Sequence, residues 1–430
     1  MKESFALLVF FLTYAGIILR RDKALHFVCG SVVLLLLAGV FKVQSIPSFI
    51  NYNVLGIFLG TSALSFLFEF SGVPSLIVNT LSGKKHSTGV IFLLLCVATG
   101  TISILVDNVA TILIMAPVAI EFSRAHRINP VPLIVGMAVS SNLQGCATMV
   151  GDSPSIILAM ESGMNFNDFF YMPASKLSLA SGRPGIFFFV QAGAAAGFAV
   201  LYLFFRKYKK VLKLKAERKR VKTFIPTVLI AMMIISLASA SLLQNGFRYF
   251  PAAICLFYGA AGMAWFFVTE RKEKFLVKQH ISWDTFLLLI GLFILVGMLK
   301  ELGFINDLAA FMERLGGKSP FVLYNIIVWF SVAVSSFVDN IPYTMALISG
   351  ITLLADKLAL NPFIYLFGLL LGTCIGGNIT PIGASCNVVG VGILRKNGYR
   401  VSFKDFVKIG LPFTVFSVAT SALLMWVVYR

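Results

Sequence analysis

The chain has 430 residues, 58% of them hydrophobic and 13% charged, with a mean hydropathy of +0.90. Soluble domains average about 45–50% apolar and about 25% charged residues, so a water-soluble globular fold is excluded. The formal net charge of +18 then reports basic loops on the cytoplasmic face of a membrane protein and no nucleic-acid surface.

Apolar blocks recur from residue 5 to the C-terminus, and a hydrocarbon core about 30 Å thick takes roughly 20 such residues per helical crossing. That excludes a single anchor on a soluble enzyme. Stretches 286–296 and 363–371 lack polar alternation, which excludes an outer-membrane barrel. The crossings are helices, which satisfy their own backbone in lipid. The six cysteines lie in apolar segments without CxxC spacing, so neither a disulfide framework nor a zinc site is expected. The first apolar run ends in Arg20-Arg21-Asp22-Lys23 with no small-residue cleavage site. It reads as a first crossing and not as a removed signal peptide.

With 5–19 running inward, Arg20, Arg21 and Lys23 are cytoplasmic; 26–41 returns outward and 51–68 comes back to Lys84, Lys85 and His86. Block 88–122 has basic residues at both ends, Arg124 and Arg127 following it, and so reads as a re-entrant hairpin with its tip at Asp107-Asn108. Segment 132–160 goes out and 184–205 comes in to 206–222, which holds ten basic residues and one Glu. Segment 224–243 goes out, and 250–268 returns to Arg271, Lys272, Lys274 and Lys278. Segment 285–299 goes out, and 321–354 is a second hairpin with its tip at Asp339-Asn340, open to the outside. Segment 361–394 comes in to Arg395, Lys396, Arg400, Lys404 and Lys408, and 409–428 exits. The inside loops hold 26 of the 36 basic residues, which supports this orientation. A plain twelve-helix bundle is the alternative.

The halves match at a fixed offset. Asp107-Asn108 and Asp339-Asn340 are 232 apart, as are Gly145 and Gly377, Thr148 and Thr380, and Gly151 and Gly383. Upstream the register shifts by one, pairing Gly60 with Gly291 and Gly72 with Gly303. The first hairpin opens inside and the second outside, so the repeats are inverted, an architecture of secondary transporters that bind substrate where broken helices meet. The expected division is a first repeat, 1–205, with hairpin 87–123 and broken helix 130–160. A basic cytoplasmic linker, 206–222, leads to a second repeat, 223–430, with hairpin 319–357 and broken helix 361–394. The linker's charge also suits anionic lipid. Segments 72–81 and 304–315 read as interfacial amphipathic helices and candidate hinge arms.

Four polar interruptions fall inside apolar segments, at 106–108, 140–154, 338–342 and 376–387. Gly and Pro at the density of the two longer ones stop a helix, and irregular backbone at membrane depth survives only where protein covers it or it lines a cavity. An intramembrane carboxylate costs about 2.5–3.5 kcal/mol on insertion scales, yet the chain carries Asp107, Asp152 and Asp339. Each suits the N-cap of a half-helix, and capping is compatible with ligand binding, since such a terminus attracts anions.

The tips Asp107-Asn108-Val109-Ala110-Thr111 and Asp339-Asn340-Ile341-Pro342, with Gly151-Asp152 and 376–387, resemble the ArsB/NhaD permease family of the ion transporter superfamily. The likeness is to its citrate-transporter-like and P-protein branch. The resemblance implies an all-α polytopic elevator fold: five crossings and one re-entrant hairpin per half, with a scaffold and a moving transport domain. It implies ion and substrate sites at Asp107, Asn108, Asn142, Thr148, Gly151 and Asp152 in one half. In the other half they fall at Asp339, Asn340, Asn378, Thr380, Ser385 and Asn387. Na⁺ would sit at Asp107, Asn108, Asp339 and Asn340. By the same analogy the protein is a homodimer in the plasma (inner) membrane. The chain departs from the pattern at Leu143-Gln144, where Gly-Gly is usual, and at Ser153-Pro154-Ser155, where Pro-Pro-Asn is usual. Dicarboxylate carriers of the superfamily place Ser-Asn-Thr at the tips; the Asp-Asn here repels a carboxylate.

The first functional reading is a transporter of a small inorganic ion coupled to Na⁺ or H⁺, since hard cations choose carboxylate and carbonyl oxygens. The second is a Na⁺-coupled symporter of a small organic anion, such as a di- or tricarboxylate, held by half-helix N-termini at 378–380 and 145–148. No Arg or Lys lies inside the four motifs, which counts against it. HExxH and GxSxG signals are absent, and His26, His86, His126 and His280 lie near loops and apart. No enzyme and no cofactor is expected; a channel stays open as a third reading.

Overall fold

The computed structural model describes residues 2–20, 23–74, 76, 85–177, 180–213, 221–242, 249–270, 283–316 and 319–430. Only 72–74 and 76 of the expected 72–81 helix fall within these; linker residues 214–220 and the basic loop 271–282 lie outside them.

The principal helices of the first half are α1 (Lys2–Leu19), α2 (Ala24–Leu37), α3 (Tyr52–Ser71), α4 (Thr88–Ser103), α5 (Asn108–Ala125), α6 (Val131–Gly145), α7 (Ser153–Glu161) and α8 (Ile186–Phe205). The second half has α9 (Ile225–Leu242), α10 (Phe250–Thr269), α11 (Trp283–Glu301), α12 (Phe304–Gly316), α13 (Pro320–Ser335), α14 (Asn340–Lys357), α15 (Pro362–Gly376), α16 (Ser385–Lys396) and α17 (Phe403–Tyr429). The chain is a polytopic, all-α membrane protein, with two short two-stranded ladders among the described residues. The amphipathic segment expected at 304–315 is α12, which packs on α13 and α14.

Local chemistry sets the helix ends. Asp107 caps α5, its carboxylate accepting from Val109 N and Ala110 N at 2.9 and 3.2 Å. Asp339 caps α14 through Ile341 N, and Asp152 caps α7 through Ser153 N. A side-chain acceptor there replaces one of the donors a helix start leaves orphaned, which matters most where water is scarce. Residues 104–107 join α4 to α5 and 336–339 join α13 to α14, so each pair is a helical hairpin with a carboxylate at its turn.

The helices sort into two packed groups. In one, α3 lies along α10, α2 along α11, and α9 along α10. In the other, α4 packs on α6, α13 on α15 and α8 on α17. Matched residues meet across the second group: Ser421 of α17 donates to Phe189 O of α8 at 2.8 Å. Between α3 and α10, Gly60 sits against the Cys255 carbonyl, with no room for a Cβ. Small residues let backbones approach where apolar burial alone gives no drive in lipid.

The loops gather at two ends. At one, strand β1 (Lys85–Ser87) pairs antiparallel with β4 (Val211–Lys213), and Arg124 Nη2 donates to Asn397 Oδ1 at 2.8 Å. At the other, the β2 (Tyr171–Met172) and β3 (Arg183–Pro184) ladder accompanies bonds from Asn361 to Leu177 O and from Tyr429 to Pro184 O. The charged ends of the first hairpin, the linker and α16 thus share one face.

Gly60→Leu must push α10 off α3 and is expected to cost about 1–3 kcal/mol, lowering the melting temperature of the detergent-purified protein. Gly30→Ala, whose added Cβ meets nothing within 4 Å, should leave it unchanged or raise it slightly, since Ala is the better helix residue. Equal melting of the two variants contradicts the packing described.

Candidate functional site

α6 ends at Gly145 and the chain resumes helix at Ser153 as α7; α15 ends at Gly376 and resumes at Ser385 as α16. The two unwound stretches lie against the hairpin turns in matching ways. Thr148 Oγ1 donates to Ile104 O at 2.5 Å, and Thr380 Oγ1 donates to Ser336 O. Ser103 Oγ donates to Asn108 Oδ1 at 2.6 Å, and Ser335 Oγ to Asn340 Oδ1 at 2.7 Å. Both acceptors of the threonines and both serine–asparagine pairs are related by the 232-residue offset. Gly151 and Gly383 pass so close to these turns that a Cβ would stand 2.9 Å from Ile104 O in one and 2.8 Å from Ser336 O in the other.

A chain of amides ties the repeats together. Asn108 Nδ2 donates to Asn142 Oδ1 at 3.2 Å, and Asn142 Nδ2 donates to Cys374 O at 2.5 Å and to Asn378 Oδ1 at 3.1 Å. Asn378 Nδ2 returns to Val139 O at 3.0 Å. All three asparagines are buried, so each bond stands where an unpaired amide is costly.

The three intramembrane aspartates converge. Asp107, Asp152 and Asp339 line one cavity of about 100 Å³, with Asn108, Asn142, Gly151, Asn340 and Ser385. Asp152 stands within electrostatic range of both Asp107 and Asp339. Its Oδ2 is buried and lacks a hydrogen-bond partner. Four helix N-termini, those of α5, α7, α14 and α16, front the same space. Each brings about half a positive charge, which offsets part of the carboxylates' mutual repulsion. No Lys or Arg is on the cavity wall among the described residues. Nor do three His, Cys, Asp or Glu side chains there form a metal centre.

Thr148, Asn378, Thr380 and Asn387 are not on the wall. They brace the unwound backbone: Asn387 Nδ2 donates to Gly377 O and Thr380 O at 2.9 and 3.0 Å. The position matching Asn387 is Ser155, fully buried with its Oγ unpaired. A serine is too short to brace the first repeat's loop as asparagine braces the second.

Sequence reading missed the wall contributed by the other helix group. Thr61, Ser62, Ser65 and Glu69 of α3, with Thr285 of α11, complete the cavity. Thr61, Ser65 and Glu69 are spaced by four and share one helix face, a polar stripe in an apolar segment that the spacing alone could have revealed. A second cavity, of about 700 Å³, lies at the far end of the same two helix groups. Its α11 wall includes Phe293, Val296, Gly297 and Lys300. These are the positions that match Ser62, Ser65, Phe66 and Glu69 at the 231-residue offset of Gly60 and Gly291.

Comparison with known proteins follows the same lines. The profile of CitMHS, described as a citrate transporter family, matches residues 9–372. An uncharacterised transporter of Mycobacterium tuberculosis is 28% identical over 385 residues, covering 88% of this chain and 87% of its own. The P protein of Mus musculus is 22% identical over 450 residues, covering 86% of this chain and 53% of its own. Among solved structures, the YdaH transporter of Alcanivorax borkumensis superposes with a TM-score of 0.57 at 14% identity, covering 89% and 87% of the two chains.

Asn142→Ala leaves Asn108 and Asn378 short of a partner and is expected to cost about 1–3 kcal/mol. Asp152→Asn, which removes a buried carboxylate oxygen that has no donor, is expected to be neutral or stabilising. Thermal melts of the two proteins check this; an Asn142→Ala protein as stable as the parent rules out the amide chain as the brace.

Proposed function

The chain belongs to the CitMHS citrate transporter family, and from that premise we propose that it is a secondary transporter coupled to Na⁺ or H⁺ whose coupling ion binds among Asp107, Asp152 and Asp339. That it is a multi-pass membrane transporter and not an enzyme follows from the family itself and from its relatives. The carrying observation for the finer reading is the wall of the small cavity: three aspartates and Glu69, with no lysine or arginine among the described residues. Carboxylates at this depth are retained at a cost of several kcal/mol and mark ion pathways. A proton or a hard cation relieves their repulsion, and oxygen donors are what such cations take. The cargo of this reading is a small inorganic species: Na⁺ itself in exchange for H⁺, an oxyanion or neutral arsenite.

A second reading has a specific support. The family description and the four helix N-termini at the cavity favour a small organic anion, such as a di- or tricarboxylate, carried with Na⁺. Such an anion has to enter with cations already neutralising the carboxylates, because like charges repel strongly at low dielectric.

The paired cavities support alternating access by an elevator. Inverted repeats reach both faces of the membrane by moving one helix group against the other, and in an elevator the group that carries the site is the one that moves. The small cavity lies beside the end of α3 that meets the linker, where Lys222 N donates to Ser71 O, and the large one lies at α3's start. On this reading the linker is cytoplasmic, the conformer is open inward, and the large cavity is the outer vestibule to which the aspartates travel. By family analogy the working unit is a dimer.

In proteoliposomes, adding Na⁺ is expected to move protons in the opposite direction, and Asp107→Asn and Asp339→Asn each to abolish the response. Anion uptake that survives both substitutions, with no response to Na⁺ or K⁺, sinks the ion-site assignment and leaves the aspartates as helix caps. Sliding has its own check at the Asn51–Glu161 contact, 2.7 Å between Nδ2 and Oε1. Joining the start of α3 to α7 there with a short cleavable bis-thiol reagent between Asn51→Cys and Glu161→Cys, with the native cysteines replaced, should stop transport until the link is cleaved. Full transport by the cross-linked protein excludes the elevator.

A further inference from the structure

At the end of the molecule that bears β1 and β4, α8 finishes at Phe205 and is followed by Arg206, Lys207, Tyr208, Lys209 and Lys210. There α17 begins, just beyond Arg400, and α6 begins, just beyond Asn129. The three helix ends enclose a cavity of about 170 Å³. Its polar wall is Lys207, Arg400 and Lys408 with Tyr208 and Asn129, and its floor is apolar, with Pro132, Phe205 and Ile409.

We propose that this cavity binds the phosphate of an anionic phospholipid, with the acyl chains running down α17 and α8. Three cations face one carboxylate, Asp405, whose Oδ2 already accepts from Ser402 N at 3.1 Å and Ser402 Oγ at 2.6 Å. Lys408 interacts with Asp405 electrostatically. Among the described residues Lys207 and Arg400 have no carboxylate within ion-pair distance. A net positive pocket with a forked guanidinium, two ammonium groups and a phenol matches phosphate oxygens. Basic pockets between membrane helices at the basic face of a protein suit lipid headgroups.

The surface below the pocket selects a lipid over free phosphate. Lys408, Leu411 and Val415 follow each other at intervals of three and four on α17 and so share one face. Leu411 and Val415 are exposed, as are Tyr202 and Leu203 on α8 beside Phe204 of the pocket wall. A headgroup among the cations therefore has an apolar track leading from it into the hydrocarbon layer. α6, α8 and α17 all belong to the helix group that carries the three aspartates, and none of the pocket's residues touches their cavity.

The test uses the full chain purified in detergent, with lipid binding read by native mass spectrometry and by thermal melting. Phosphatidylglycerol is expected to bind and raise the melting temperature, whereas phosphatidylcholine and inorganic phosphate do neither. Each of Lys207→Gln, Arg400→Gln and Lys408→Gln should weaken phosphatidylglycerol binding about fivefold. Arg400→Lys, which keeps the charge, should retain most of it and shows that the fold tolerates change there. Undiminished phosphatidylglycerol binding by the three Gln variants overturns the site. Stabilisation by inorganic phosphate equal to that by phosphatidylglycerol overturns the lipid assignment.

Discussion

The side-chain amide of Asn142 accepts from Asn108 of the first hairpin and donates to Cys374 O and Asn378 of the second broken helix. Around it two helices are interrupted at membrane depth, where each unsatisfied backbone group costs several kcal/mol. Side chains take up carbonyls that the interruption frees, Asn142 at Cys374 O and Asn387 at Gly377 O and Thr380 O. Thr148 and Thr380 fix the loops to the hairpins, and Asn387 closes the second loop on itself. With the loops fixed, the helix starts of α5, α7, α14 and α16 are aimed at one point, and the three aspartates that cap or flank them arrive together.

The carboxylate cavity needs both helix groups. The hairpins and broken helices supply the aspartates, while α3 supplies Thr61, Ser65 and Glu69 from the opposite side. On α11 the matched positions are Val296 and Lys300 and line the other cavity. The repeats thus put a carboxylate, Glu69, at one cavity and an ammonium, Lys300, at the other. The equivalence of fold is close; the equivalence of chemistry is not, as Ser155 against Asn387 also shows. The two half-sites are therefore not chemically equivalent, and the first repeat's loop is the less braced of the two.

Much of this was legible in the sequence, for identifiable reasons. The hairpin tips stood out because an Asp-Asn pair cannot sit inside an apolar crossing without a turn, and the conserved spacing of 232 residues is what a repeated turn leaves behind. The membrane class followed from hydropathy alone. The polar residues of the unwound loops were harder to sort. Thr148, Asn378, Thr380 and Asn387 have the same chemistry whether they hold a ligand or a carbonyl, and only the direction of the backbone separates the two roles. The stripe on α3 went unread because single Ser and Thr residues bond their own helix, as Thr61 does to Ile57 O. Its meaning lies in what faces it, which is a tertiary fact.

The central claim is that the aspartate cavity is the coupling-ion site, and proton release on ion binding tests it most directly. Purified protein in weakly buffered detergent is mixed with NaCl or choline chloride while pH is followed. The account predicts a saturable release of protons on adding Na⁺, absent with choline and lost in Asp152→Asn. Identical traces from the parent protein and Asp152→Asn contradict it.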